Sequence, residues 1–101
     1  MTSVKIMPSK AKNKKFTAIF YDDQGKKIKT VQFGAKGYED YTIHKDKQRR
    51  NRYRNRHKGN LAKTTYMSPA HLSYYILWGQ SVKLASNINN YIKKFKLKLK
   101  K

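Results

Sequence analysis

Apolar positions change their spacing several times along this chain, and each change marks a new element. Lys15–Tyr21, KFTAIFY, is dense in β-branched and aromatic residues and reads as a strand. Asp22-Asp23-Gln24-Gly25 follows as a turn in which glycine supplies a positive φ. Lys26–Phe33, KKIKTVQF, alternates, with Lys29, Val31 and Phe33 on one side and Ile28, Thr30 and Gln32 on the other. The two segments predict a β-hairpin, and a lone hairpin is marginal in water, so it must pack on something.

Gly34 and Gly37 break the alternation, and the spacing then becomes helical. Asp46 is an expected N-cap for a helix running to about His57, with Gly59-Asn60 as its stop. Tyr53 is its only large apolar side chain, so the helix has no wide apolar stripe and is expected outside the core. Ser68-Pro69 pairs an N-cap with a first-turn proline, predicting a helix over 69–78 closed by Gly79. It carries His71, Tyr74, Tyr75 and Trp78 on one side, with Ile76 and Leu77 beside them. Ser81 is the expected cap of a final helix, where Leu84, Ile88, Tyr91, Ile92, Phe95 and Leu99 fall at helical spacing. Beyond Phe95 the text KLKLKK alternates and fits a helix extension, an edge strand or a frayed end.

The fold class is therefore α+β: an N-terminal β-hairpin followed by about three α-helices, one small domain over residues 15–95. A basic N-terminal arm, 1–14, precedes it, and a Lys-rich tail, 96–101, follows. A chain of 101 residues buries roughly 60–65% of its unfolded surface, enough for one modest core. Eight tyrosines argue against disorder, which is poor in aromatics. No cysteine is present to make a disulfide or thiolate metal site. No apolar run approaches the ~20 residues of a membrane span, and MTSVKIMPSK lacks the apolar region of a secretory signal.

Charge changes the picture most. Lys and Arg number 25 against five acids, a formal net charge of +20. All five arginines, Arg49, Arg50, Arg52, Arg54 and Arg56, lie in the predicted helix, and no carboxylate side chain follows Asp46. A body with that field repels itself unless it meets a polyanion. Guanidinium forks bind phosphate bidentately. On the helix, Arg49, Arg52 and Arg56 share a face with Tyr53, while Arg50, Arg54 and Lys58 form the next. The candidate polyanion site is these arginines with Lys47 and Lys58, joined by Lys93, Lys94, Lys96 and Lys98 from the tail region. The bland alternative is a solvated charged face, weakened here because like charges at helical spacing lack acidic partners.

Other groups carry less. Tyr74, Tyr75 and Trp78 could stack bases, but their place beside Ile76 and Leu77 favours core packing. Lys93–Lys101 interleaves Phe95, Leu97 and Leu99 with lysines, which leaves peripheral contact with an anionic membrane open. GYEDYTIHKD gathers His44, Glu39, Asp40 and Asp46, the residue types a metal-dependent nuclease needs, though without a recognised spacing. A structural turn, with carboxylates pairing to Lys36 or Lys45 and Asp46 acting as a cap, is preferred. No cofactor, metal or small-molecule substrate is implied.

Two longer strings, TVQFGAKGYEDYTIHKDKQRRNRYRNRHK and SYYILWGQSVKLASNINNYIKKF, carry a resemblance. Their VxFG turn, basic helix ending in RH, YILWG helix and NIxxY-xxxF helix are similar to a small protein family of nucleocytoplasmic large DNA viruses, over roughly residues 16–95. The resemblance implies a short, basic, non-enzymatic protein with a virion-associated role, present in host cytoplasm or nucleus during assembly. It brings no site residues with it. Similar sequences carry Pro where this chain has Lys47, which weakens the start assigned at Asp46. The expected partner is nucleic acid, DNA before RNA, contacted at phosphates with little sequence discrimination. The alternative is a minor capsid protein that bridges acidic surfaces of coat subunits.

Overall fold

The hairpin expected from the alternating segments is the centre of the sheet. In the computed structural model, which describes residues 1–100, strand β2 (Lys14–Tyr21) pairs antiparallel with β3 (Lys27–Ala35). The turn closes where Asp22 accepts backbone N–H bonds from Gln24 and Lys26 through Oδ1, with Gly25 at φ 82°. Phe16, Ala18 and Phe20 of β2 stand beside Phe33, Val31 and Lys29 of β3, so the apolar side of the hairpin forms one face.

The expected N-terminal arm is instead a strand. β1 (Ser3–Pro8) pairs antiparallel with β2, placing Val4 opposite Phe20 and Ile6 opposite Ala18. Val4 is fully buried, which gives the segment an apolar anchor that a solvated arm lacks. The tail is also recruited. Lys96 turns the chain at φ 55°, Leu97 is buried, and β4 (Lys98–Leu99) joins β1 in parallel, giving the order β3-β2-β1-β4. Leu99, expected on the final helix's apolar stripe, is 49% exposed on this edge.

The helices lie between β3 and β4 in the chain. Short helix α1 (Tyr41–His44) is capped by Asp40, which accepts from Thr42 N at 2.9 Å, and ends at Lys45 in the left-handed region at φ 58°. α2 (Lys47–His57) begins where expected: Asp46 Oδ1 accepts from Gln48 N at 3.0 Å and Arg49 N at 3.3 Å. Its last turn tightens into a 3₁₀ segment over Lys58–Lys63. α3 (Pro69–Leu72) starts at the Ser68 cap and widens into a π-helical turn over Ser73–Leu77, where Trp78 N–H donates to Ser73 O at 3.0 Å. α4 (Leu84–Lys94) follows. The widening shifts the helix phase, so Leu72, Ile76 and Leu77 are buried with Tyr74, while Tyr75 and Trp78 are partly exposed.

Gly79 is needed for space. It is not among the glycines at positive φ, but a Cβ there would collide with the Tyr75 carbonyl and lie 2.7 Å from Asn87 Oδ1. Ser81 does not cap α4, whose N-cap is Lys83; Ser81 Oγ accepts from Lys83 N instead. Fully buried Asn87 holds that loop, donating to the carbonyls of Ile76 and Ser81 and accepting from Ser81 N. The core lies between the sheet's Val4, Ala18, Phe20, Val31 and Phe33 and the helical Leu72, Ile76, Leu77 and Tyr91.

Candidate functional site

An eleven-residue helix rich in arginine has no apolar face to hold it. Arginine itself does the holding. Arg50 is only 7% exposed, and its Nε donates to Gly79 O at 2.5 Å. Arg54 Nη1 donates to Trp78 O at 2.8 Å and Tyr74 O at 3.2 Å, with its guanidinium 4.0 Å from the Tyr74 ring centroid. These carbonyls end the α3–π segment, where the helix dipole is negative and the last oxygens lack intrahelical partners. Two cations thus cap one helix with side chains of another. Burial lowers the Arg54 pKa, with Tyr74 opposing, and the group stays cationic.

Arg50 and Arg54 are therefore engaged within the fold, which corrects their assignment to one free cationic face with Arg49, Arg52 and Arg56. The reason is geometric: they occupy the helix face next to that of Arg49, Arg52 and Arg56, and from it their guanidinium groups reach the carbonyls of Tyr74, Trp78 and Gly79. Arg49, Arg52 and Arg56 are exposed. The ion pairs among the described residues are the Met1 amino group with Asp23 and Lys15 with Asp40, so no arginine is neutralised by a carboxylate.

The free face has a rigid backing. Tyr53 stacks on Trp78 at 4.2 Å between centroids, with planes 7° apart, and the His57 ring lies 4.2 Å from Tyr53, tilted by 33°. His44 continues the row, 5.2 Å from Trp78. Its Nδ1 accepts from Asp46 N at 2.8 Å, so the row also reaches the residue that caps α2. Burial raises the Tyr53 pKa, Arg56 counteracting it. A concavity of about 360 Å³ opens beside Trp78 between Arg49, Arg52, Asn55 and Arg56. A second, about 340 Å³, shares Arg49, Arg56 and Trp78 and extends past Tyr53 to Asp40.

The remaining sequence candidates are dispersed. Lys47 and Lys58 sit exposed at the two ends of α2. Lys93 and Lys94 are exposed on the last turn of α4, with Lys94 Nζ 5.5 Å from the Tyr75 centroid. Lys96 is at the turn into β4 and Lys98 within it. Tyr74 has a face covered by Arg54 and Trp78 one covered by Tyr53, which reduces the aromatic surface a stacked base would use, while Tyr75 stays partly exposed. Asp40 pairs with Lys15 at 2.7 Å while capping α1, and Asp46 caps α2. Among the described residues no three His, Asp or Glu side chains gather as a metal site, and no helix is long and apolar enough to cross a membrane.

Sequence reasoning did not foresee the Tyr53–Trp78 stack. The available signal was Tyr53 itself, the one large apolar side chain on a polar helix, four residues before His57.

Comparison with known families finds a match over the N-terminal part of the chain. The model of a family of unknown function (DUF5754) matches residues 4–57, a little over half of the chain. The chain belongs to that family. The DUF5754 segment runs from within β1 to the last residue of α2, so it contains all five arginines, whereas Trp78 and the carbonyls held by Arg50 and Arg54 lie beyond it. No curated protein and no solved structure matches this DUF5754 member.

Proposed function

We propose that this protein is a non-enzymatic binder of nucleic acid, contacting backbone phosphates through Arg49, Arg52 and Arg56 with little regard to sequence. The observation that carries the reading is the division of labour on α2: two guanidinium groups anchor the helix to carbonyls, and three exposed ones have no carboxylate partner among the described residues. Phosphate contacts position a duplex without reading its bases. The covered aromatic faces favour a backbone partner over stacked single strands. Lys47 and Lys58 extend the positive stripe along the helix axis.

The sequence resemblance to proteins of large DNA viruses supplies the context of this reading: DNA as the partner and the virus particle as its setting. The test is binding to an arbitrary DNA duplex over a range of salt, by fluorescence anisotropy, for the native chain and the Arg49→Gln/Arg52→Gln/Arg56→Gln variant. The reading requires affinity that falls steeply with salt and weakens in the variant. Unchanged duplex affinity in a folded variant rejects it. Capture of coat protein that survives nuclease treatment, with no duplex binding, would turn the reading to the capsid-bridging alternative.

A further inference from the structure

We propose that the cleft between Arg54 and Lys94 is a second, discrete anion site that takes a single phosphomonoester group, separate from the backbone-binding face of α2. The cleft measures about 310 Å³ and is lined by Arg54, Tyr74, Tyr75, Gln80, Asn90 and Lys94, among others, with no carboxylate in its wall. Arg54 and Lys94 converge on one aromatic ring: the guanidinium carbon lies 6.0 Å and the ammonium nitrogen 5.5 Å from the Tyr75 centroid. They come from different helices, α2 and α4, so the convergence is a product of the fold and cannot be read as one helix's charge run.

The field in the cleft is positive. Bare carbonyls at a helix C-terminus would repel an anion, but Arg50 and Arg54 already cover those of Tyr74, Trp78 and Gly79. Carbonyl bonds engage Arg54 Nη1 without cancelling the guanidinium charge, and a partly buried cation with no counter-charge gains most from an incoming anion. Burial acting on Arg54 is consistent with this. Gln80 and Asn90 add side-chain amides with no hydrogen bond to other described residues, able to donate to phosphate oxygens. The volume exceeds what a bare phosphate fills, which fits a phosphate carried on a small organic body. A free mononucleotide and the phosphorylated end of a nucleic-acid strand both present that group.

The site does not depend on the duplex reading, because Arg49, Arg52 and Arg56 are absent from its wall. The experiment titrates the full chain with inorganic phosphate and a nucleoside monophosphate, following backbone amide signals by NMR. Saturable shifts at Gln80, Asn90 and Lys94 are expected. They should weaken roughly tenfold in Lys94→Gln, as loss of a charge-assisted hydrogen bond implies, and persist in the Arg49→Gln/Arg52→Gln/Arg56→Gln variant. Lys94 is exposed on the last turn of α4, so its substitution leaves the fold intact. Absence of saturable shifts in the cleft, or equal binding by Lys94→Gln, overturns the proposal. A 5′-phosphorylated oligonucleotide that binds more tightly than its 5′-hydroxyl twin identifies the strand end as the source. Equal binding of the two strands, beside saturable mononucleotide binding, identifies the free compound.

Discussion

Tyr53 and Trp78 lie face to face, 4.2 Å between ring centroids and 7° from parallel, and this stack joins the arginine helix α2 to the C-terminal end of the α3–π segment. Trp78 is the chain's single tryptophan, so its fluorescence reports on the stack without ambiguity. Duplex added at low salt should change that emission, and Tyr53→Leu should abolish most of the change. Tyr53→Leu should also destabilise the fold by about 1 kcal/mol in urea unfolding, the usual worth of an aromatic pair beyond its buried area.

The salt dependence of binding should count arginines. Each neutralised phosphate contributes about −0.9 to the slope of log affinity against log salt on duplex DNA. Changing Arg49, Arg52 and Arg56 together to Gln should therefore reduce the slope by about 2.7, with thermal stability almost unchanged because none of the three side chains hydrogen-bonds to another described residue. A slope change nearer zero would place the phosphate contacts elsewhere.

Arg50 should behave in the opposite way. Arg50→Ala removes a charge-assisted bond and leaves the Gly79 carbonyl without its donor. The expected loss is about 2–3 kcal/mol of unfolding free energy, measured with chemical denaturant. Arg50→Lys should recover little of it, because an ammonium cannot reproduce the planar Nε–H donor.

Gly79→Ala should be costly despite its small size. The new Cβ meets the Tyr75 carbonyl and the Asn87 amide, and both are fixed in place. Overpacking of this kind costs about 1–3 kcal/mol. It should also displace the carbonyl that Arg50 holds, so Gly79→Ala and Arg50→Ala should combine less than additively in a double-mutant cycle.

Stability should fall at both ends of the pH scale for identifiable reasons. Burial lowers the His71 pKa from 6.5, so the unfolded chain takes up a proton first as pH drops. The stabilising contribution is full above pH 6.5 and is lost progressively below it. Burial raises the Tyr91 pKa from 10.0, so above pH 10 the unfolded chain releases its proton while the folded chain keeps it, and stability declines. Denaturant midpoints across pH should show both slopes. His71→Gln should flatten the acid limb and Tyr91→Phe the alkaline one.

Elements with local chemical signals were legible in the sequence. The hairpin followed from its alternation and Gly25, and the starts of α2 and α3 from Asp46 and from Ser68-Pro69. β1 was not: its Val4 and Ile6 alternate with polar residues, but the run is too short and basic to distinguish from an arm until β2 is present to pair with it. Arg50 and Arg54 were placed correctly on their own helix face, yet nothing local separates an arginine facing water from one facing a carbonyl. Their acceptors lie 20 to 29 residues further along the chain. Gly79 marks the helix end in the sequence, but the letter alone does not tell close approach, which is the requirement here, from positive φ.

The parallel pairing of Ser3 with Lys98 sets an order of events during folding. Closing a loop of almost the full chain carries a large entropic penalty, whereas the β1–β2 and β2–β3 contacts close short ones. The β4 edge is therefore expected to dock last, after α4 has brought Leu97, buried in the folded chain, to the interior. In native-state hydrogen exchange, the amides of Lys98 and Lys100, bonded to the Thr2 and Val4 carbonyls, should open at lower free energy than those of the hairpin.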